Sequence, residues 1–388
     1  MTKFFEVAVG NPPYQAGIVQ DESKIGKSPI NVFHDFQEVA SIVSVRTSFI
    51  YPGGRWLSRN GKGMDEFGYW LSNNPALQKV VFWVRSKPVF GPVIEISGGV
   101  SIVFTDNSVP NNGSWDLTTF YKDKKFSGKI KLPGDNVVPF FPVVSEIENA
   151  VLAKLSEKPF TTLNDTKFSF NFFEIASTYG VDNPDSAILC NEDFSNIPQS
   201  LNNRDTSNSD SNNPDSLSWV RTILNDGHGK GARVTWFWVP RDVFPERVYP
   251  IIDSWKVVIS ARNVSGINGR MMQGEILPPG TAHSYSRVTI GSFATEEEAV
   301  NFFNWINTDF VRCLIIASGT LYGTFGSSVP MLEGYKDTDS SEIDFTNSCK
   351  INDSLFELYE LDDDVKARAK ELVSSVERFT DKSYVRKI

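Results

Sequence analysis

The sequence predicts an α/β fold: part of a sheet over roughly the first 120 residues, an α+β segment after it, and a charged helix near the end. Three observations predict this. Strand-like and helix-like segments alternate over residues 1–105. A tract rich in Asn, Ser and Asp, residues 202–218, is almost free of apolar side chains and separates two compositions. The segment beyond it, 219–335, is rich in Trp, Val, Ile and Gly. The domains expected are therefore 1–120, a connecting region 121–218 that contains the polar tract, 219–335, and a helical tail 336–388.

Phe4 to Val9 reads as a short buried strand, and Gly10-Asn11-Pro12-Pro13-Tyr14 stops it, because two prolines cannot donate to a ladder. Residues 31–43 carry helical apolar spacing at Val32, Phe36, Val39, Ala40 and Val43. A strand is expected over 45–51, halted by Pro52-Gly53-Gly54, then a helix over 64–72 and strands over 79–84 and 99–104. Strand, helix, strand, helix, strand in this length makes half of an α/β sheet rather than a whole one. Residues 145–155 look helical, 248–260 and 286–293 strand-like. One long helix is expected over 295–317, where Thr295 can cap and Glu296, Glu297 and Glu298 suit the positive end of the dipole. Residues 361–378 form a charged amphipathic helix.

Composition narrows the function classes. At 388 residues with 40% hydrophobic and 13% aromatic side chains, 29 of them Phe, the chain can bury substantial cores. No apolar run reaches the length of a membrane span, and Met1-Thr2-Lys3-Phe4 opens no secretory leader. Cys190, Cys313 and Cys349 are widely spaced and there are only 3 His, which fits a reduced cytoplasmic protein without a metal site. The net charge of −9 argues mildly against nucleic acid, but residues 221–287 hold nine Lys or Arg against five Asp or Glu. That surplus is either a nucleic-acid footprint or an ordinary solvated face.

Asn11-Pro12-Pro13-Tyr14, directly after a hydrophobic strand, is the sharpest chemical signal. The exocyclic amine of adenine is a poor nucleophile. The Asn11 side-chain oxygen can accept one of its hydrogens and the Pro12 carbonyl the other, turning the nitrogen lone pair toward a methyl donor. Two prolines hold both acceptors rigid, since Pro fixes φ. Tyr14 can stack on a base swung out of the duplex. The plain alternative is a strand ending in a Pro-Pro turn with Tyr14 in the core. Four fixed residues in order, in the right strand context, favour the chemistry.

The motif resembles motif IV of the amino-methyltransferases, and its surroundings resemble the Taq-type gamma class of N6-adenine DNA methyltransferases of restriction-modification systems. In that class a helix follows the motif, then a strand ending in Pro and a Trp-Leu pair; here Tyr51-Pro52-Gly53-Gly54-Arg55-Trp56-Leu57 takes that place. A Val-Phe step with a second stacking aromatic comes next, matched by Pro88-Val89-Phe90 ahead of the strand at 99–104. The resemblance makes Phe90 the candidate second ring, against a reading as core Phe. It extends to the C-terminal part: Trp255 to Ser260, Ile290-Gly291-Ser292-Phe293 with Thr295 to Ala299, and Phe310-Val311-Arg312 look like a restriction-modification target-recognition domain. Leu355-Phe356-Glu357-Leu358-Tyr359-Glu360-Leu361 before a charged helix fits the same group. The likeness covers 1–105 and about 219–380.

The fold that the resemblance implies is a partial Rossmann-like methyltransferase sheet followed by an α+β DNA target-recognition domain. The class binds S-adenosylmethionine through a Gly-rich strand-loop-helix upstream of the motif, and only ten residues precede Asn11. Ser318 to Gly326 is the one Gly-rich alternative, and it follows a helix, so it reads as a DNA-facing or turn loop. Three explanations are open: a partner methyltransferase subunit supplies the cofactor half, with the sheet edge beside Phe5–Val9 as the assembly surface; the chain is an inactive specificity subunit of a restriction complex; or the gene product is truncated. A nuclease or helicase is a further candidate partner. Arg221, Lys230, Arg233, Arg241, Arg262 and Arg270 are the expected contacts to double-stranded DNA, and Asn263, Asn268 and Gln273 could read adenine edges. Gly227-His228-Gly229-Lys230-Gly231 is a flexible basic loop or a plain hairpin turn, and Asp35 and Glu38 are expected to be solvated. No paired acids with a lysine suggest a nuclease centre: Val93-Ile94-Glu95-Ile96 lacks the Lys.

Overall fold

The computed structural model describes residues 3–16, 30–96, 98–155, 188–190, 219–225, 234–260, 274–283, 287–317 and 348–375. The chain divides into two compact units. The first is Met1–Lys158 with Cys313–Gly323 and Leu358–Leu372; the second is Pro159–Arg312 with Thr324–Glu357 and Val373–Ile388.

The first unit is built on a mixed sheet. Its strands are β1 (Phe5–Gly10), β4 (Ser44–Pro52), β5 (Leu77–Trp83), β6 (Val100–Asp106), β7 (Ser114–Tyr121) and β8 (Lys124–Lys131), in the order β1-β4-β6-β5-β7-β8. β1 runs parallel to β4 and β5 parallel to β7, while β4–β6, β6–β5 and β7–β8 are antiparallel. A two-residue pair, β2 (Gln15–Ala16) with β3 (Ile30–Asn31), stands between β1 and the next helix. The strands expected over 4–9, 45–51, 79–84 and 99–104 and the helix over 64–72 all form, but the first strand, expected to be buried, is largely exposed. The sheet does not stop near residue 120: the β7–β8 hairpin and the helix α5 (Pro142–Leu155) continue it.

Helix α1 (Phe33–Val43) explains how β1 and β4 come to lie side by side. A parallel pair needs a crossover, and α1 supplies it by burying Phe33, Gln37 and Ala40 at helical spacing. The Phe33 ring stacks on Tyr51 with centroids 5.0 Å apart and meets Phe67 edge-on at 5.8 Å. Under these rings runs a satisfied polar chain: Tyr51 donates to Gln37 Oε1, Gln37 Nε2 donates to Thr47 Oγ1 at 3.0 Å, and Thr47 bonds Thr105 at 2.7 Å. Such a chain costs little because each buried polar atom keeps a partner.

Two short helices follow β4: α2 (Gly53–Leu57) and α3 (Met64–Ser72); α4 (Lys87–Phe90) follows β5. Gly53 and Gly54 donate their amides to the carbonyls of Gly99 and Gly98. A side chain on Gly54 would run into the Gly98 carbonyl, and Gly99 sits at φ +73 with its Cα against the Trp83 carbonyl. Only glycine permits this approach of two backbones.

The second unit holds β9 (Ile188–Leu189), β10 (Trp219–Asn225), β11 (Val234–Pro240) and β14 (Thr281–His283) in the order β14-β10-β11-β9. A second sheet orders β13 (Gly274–Leu277), β12 (Trp255–Ser260) and β15 (Arg287–Phe293). Val220, Leu224, Val239, Phe244, Ile251, Ile252 and Ala282 form one core. The strand expected over 248–260 is only its second half. Residues Tyr249–Ile252 form the helical turn α6, because Pro250 near its start cannot donate and Ile251 and Ile252 bury into that core. The long helix expected over 295–317 is two: α7 (Glu296–Ile306) and α8 (Asp309–Ala317). Thr295 and Glu298 form the capping box of α7. The break is Thr308, whose hydroxyl donates to the Trp305 carbonyl and accepts from the Val311 amide, so a second cap interrupts the periodicity. The C-terminal helices are α9 (Ser348–Leu358) and α10 (Asp363–Ser375). Arg368 of α10 forks both guanidinium nitrogens onto Glu146 of α5, at 2.6 and 2.7 Å.

Glu148, also on α5, is buried, and burial pushes its carboxyl up to about 7. A carboxyl with a raised folded pKa stabilises the fold fully below its unfolded value and loses that contribution as pH rises through 7. Glu148→Gln therefore raises the melting temperature at pH 8 and leaves it nearly unchanged at pH 4; calorimetry at both pH values checks the difference.

Candidate active site

The strand directions set up the site. β1, β4 and β5 all run the same way, so Asn11, Pro52-Gly53-Gly54 and the loop that carries Phe90 emerge at one end of the sheet. Ligands of open α/β sheets bind at this carboxyl end.

The Asn11-Pro12-Pro13-Tyr14 turn is held on both sides. Before it, Gly10 pairs with Phe49, and a Cβ at position 10 would lie 2.9 Å from the Phe49 ring, so glycine lets the strand end settle on that ring. After it, the Val32 amide donates to the Tyr14 carbonyl at 3.2 Å, and Gln15 pairs with Asn31, tying the exit of the turn to the start of α1. Within it, Pro12 is buried, Asn11 and Pro13 are exposed, and Tyr14 is half-buried. The turn thus rests on Pro12 and leaves the Asn11 side chain open to solvent. The Tyr14 hydroxyl is buried and has no hydrogen-bond partner among the described residues, and burial raises its pKa above the ordinary phenol value.

Phe90 ends the one-turn α4 and is half-buried. β5 stands three strand positions from β1, on the order of 14 Å along the sheet, so Phe90 approaches the Asn11 turn only through its own loop. The return leg of that loop, Gly98-Gly99, lies against Gly53-Gly54 at the end of β4. The two Gly-Gly pairs thus join the loops that follow β4 and β5. Sequence reasoning used Gly53-Gly54 only as a stop signal; two Gly-Gly pairs at strand ends were the available clue to a close backbone approach.

An open cleft of about 800 Å³ runs beside α1 and α3, lined by Lys3, His34, Glu38, Glu66, Phe67 and Trp70 among others. Asp35 and Glu38 belong to its wall, and none of Asn11, Pro12, Pro13, Tyr14 or Phe90 does. Its carboxylates suit it poorly to a phosphate backbone.

The basic candidates of the second unit divide. Arg241 is buried: it forks onto Asp253 at 2.7 and 2.6 Å and lies over the Tyr249 ring at 4.3 Å, so it braces α6 against the end of β11 instead of facing a phosphate. Arg221 is half-buried in β10, opposite Trp238 and Thr281, and burial lowers its pKa. Lys230, Arg233, Arg262 and Arg270 lie outside the described residues, as do Asn263, Asn268, Gln273, His228 and the Ser318–Gly326 loop. Lys256, which the sequence did not single out, is fully buried, with its ammonium on the Ile252 and Pro278 carbonyls and the Thr281 hydroxyl.

Among the described residues no group of His, Cys, Asp or Glu could hold a metal, and no helix is long and apolar enough to cross a membrane. They do not form an S-adenosylmethionine cradle either. The one strand–glycine–helix turn at the carboxyl end, Pro52-Gly53-Gly54, already gives both glycine amides to the Gly98-Gly99 backbone.

Residues 1–90 match the Eco57I restriction-modification methylase family. That span contains β1, the Asn11 turn, α1, β4 and Phe90. No curated protein matches the chain. Among solved structures, the type IIG restriction endonuclease BpuSI aligns with 96% of this chain and 53% of its own, at 11% identity and a TM-score of 0.34. The type IIL restriction-modification enzyme MmeI, solved in complex with DNA, aligns with 96% of this chain and 57% of its own, at 8% identity and a TM-score of 0.39. The chain thus spans somewhat over half the length of either enzyme. A protein of the type I restriction-modification system aligns with 39% of this chain and 30% of its own, at 16% identity and a TM-score of 0.21.

A buried hydroxyl without a partner costs on the order of 1 kcal/mol or more. Tyr14→Phe is accordingly expected to stabilise the chain by about 1 kcal/mol. Urea titration of the two proteins measures it, and a loss of stability would show that the Tyr14 hydroxyl has a partner in solution.

Proposed function

We propose that the chain is the adenine-clamping and DNA-recognising subunit of a restriction-modification methyltransferase, acting at adenine N6. The observation that carries this is the Asn11 turn: an exposed asparagine at the carboxyl end of a parallel strand, followed by the buried Pro12 and the half-buried Tyr14. The match of residues 1–90 to a restriction-modification methylase family supports the same reading.

In this reading a target adenine leaves the duplex and lies flat against Tyr14, with Phe90 as the ring on its far side. Asn11 Oδ1 accepts one N6 hydrogen and the Pro12 carbonyl accepts the other. Both acceptors draw the nitrogen toward tetrahedral geometry and free its lone pair. Their positions are fixed before the base arrives, so little reorganisation is needed as charge develops. The amine loses a proton to solvent after transfer, and no side-chain base is required beside it. S-adenosylmethionine would supply the methyl group. Lys230, Arg233, Arg262 and Arg270 are assigned to double-stranded DNA, with Arg221 a weaker member because it is half-buried.

The test is methylation of genomic DNA with tritiated S-adenosylmethionine by the chain together with its copurifying partners, followed by nucleoside chromatography. Label in N6-methyladenine is expected; label in cytosine derivatives, or none, would sink the adenine reading. Asn11→Ala should lower the rate by on the order of 100-fold or more while leaving DNA affinity nearly intact, as expected for a group that acts in the transition state. Filter binding beside single-turnover kinetics separates the two effects.

A further inference from the structure

Two further connections reach the end of the sheet that carries the Asn11 turn. β7 runs parallel to β5, so the loop that follows β5 and the β7–β8 hairpin both emerge there. They start side by side: Trp83 stacks on Phe120 with centroids 5.2 Å and planes 10° apart, and the Val84 amide donates to the Phe120 carbonyl at 3.2 Å. The loop is clamped at its base. The hydroxyl of buried Ser86 donates to the Ile94 carbonyl at 2.9 Å and accepts from the Ile96 amide at 2.7 Å. Its tip is bare and apolar, with Val93 93% and Ile94 50% exposed. Cations line both connections. Arg85 and Lys87 stand on the loop, the Arg55 side chain lies beside Gly98 at its base, and Lys122, Lys124 and Lys125 crowd the hairpin. Glu95 pairs with Arg85 and Lys87, Glu371 with Lys124, and Asp123 sits in the hairpin turn. The six cations outnumber these acids in a chain whose net charge is −9. Guarding an edge strand accounts for Lys125 on β8, but not for Lys122 in the turn or for Arg55, Arg85 and Lys87 on inner connections.

We infer that this loop and hairpin grip double-stranded DNA without reading its sequence: the cations lie on phosphates and the Val93–Ile94 tip enters the groove between them. The choice of a duplex as occupant rests on the DNA-recognising role proposed above. Its chemistry fits the surface. Lysines and arginines neutralise phosphates and release their counterions, whatever the bases. Apolar side chains set among cations are what proteins insert into a groove. The ion pairs on Glu95 and Glu371 are half-exposed, and such pairs hold weakly enough to exchange for a phosphate. The Ser86 clamp fixes the base of the loop before DNA arrives, which lowers the ordering cost of binding. The sheet also sets the scale. β5 and β7 stand three and four strand positions from β1, roughly 14 and 19 Å. With about 3.4 Å per base pair, the grip falls on the order of four to six base pairs from a base held at Asn11.

Fluorescence anisotropy of the full chain with a labelled duplex of random sequence, followed from about 50 to 200 mM salt, measures the grip without cofactor or target site. Lys122→Gln together with Lys125→Gln should weaken binding and flatten the slope of log affinity against log salt by about two, since each phosphate contact contributes roughly one. Val93→Ala should weaken binding roughly three-fold at every salt concentration with the slope unchanged, the mark of an apolar contact. Lys131→Gln, at the opposite end of β8, should change neither. All variants should melt as the parent does, because these side chains are exposed. The inference is overturned by a slope that the Lys122 and Lys125 substitutions leave intact, by an equal loss on Lys131→Gln, by a chain that binds no duplex, or by binding to a single strand or to polyglutamate as tight as to the duplex. The tritium label tests the adenine reading and the salt slopes test the grip, so either can fail alone.

Discussion

The single ladder between β1 and β4 is the interaction on which the rest depends. It fixes Gly10 against Phe49, and so fixes where the strand ends and the Asn11 turn begins. α1 then ties the far side of the turn through the Val32 amide, while its own inner face is locked by Phe33, Gln37 and Ala40. Pro12 faces inward and Asn11 outward, a division the rigid φ of two prolines preserves. Among the described residues no strand pairs with the other side of β1.

Charge in the second unit is less a surface property than composition suggests. Of the nine Lys and Arg residues between 221 and 287, Arg241, Lys256 and Arg287 are buried. Arg241 has Asp253, Arg287 has Glu275, and Lys256 has three oxygen acceptors. Buried cations need such partners, because an unpaired one would cost several kcal/mol. A local surplus of positive charge therefore overstates the field a polyanion would meet.

Much of the first unit was legible because its segments are short and each ends in an unambiguous breaker. Pro12-Pro13 ends β1 and Gly53-Gly54 ends β4 where expected, and helices form at 33–43 and 64–72, but α1 buries Phe33, Gln37 and Ala40 while Phe36 and Val39 of the expected apolar stripe are exposed. Errors came where hydrophobicity ran on across a boundary set by one polar group or one proline. Thr308 splits the helix expected over 295–317 by capping in both directions, a hydroxyl effect invisible to apolar periodicity. Pro250 turns the first half of the strand expected over 248–260 into α6. Arg241 looked like a phosphate contact because residue type carries no information about which way a side chain faces, and Asp253 decides that from twelve residues away.

By itself the sequence determined the mixed α/β character and the Asn11 turn, since both follow from local rules: period, proline geometry and residue type at fixed spacing. Only the tertiary structure decided which strands are neighbours, that β1 lies at the edge with Phe5, Val7 and Val9 bare, and that Gly53-Gly54 closes on Gly98-Gly99. Strand order and burial arise from contacts between residues far apart in the chain. No local pattern contains the distance between them.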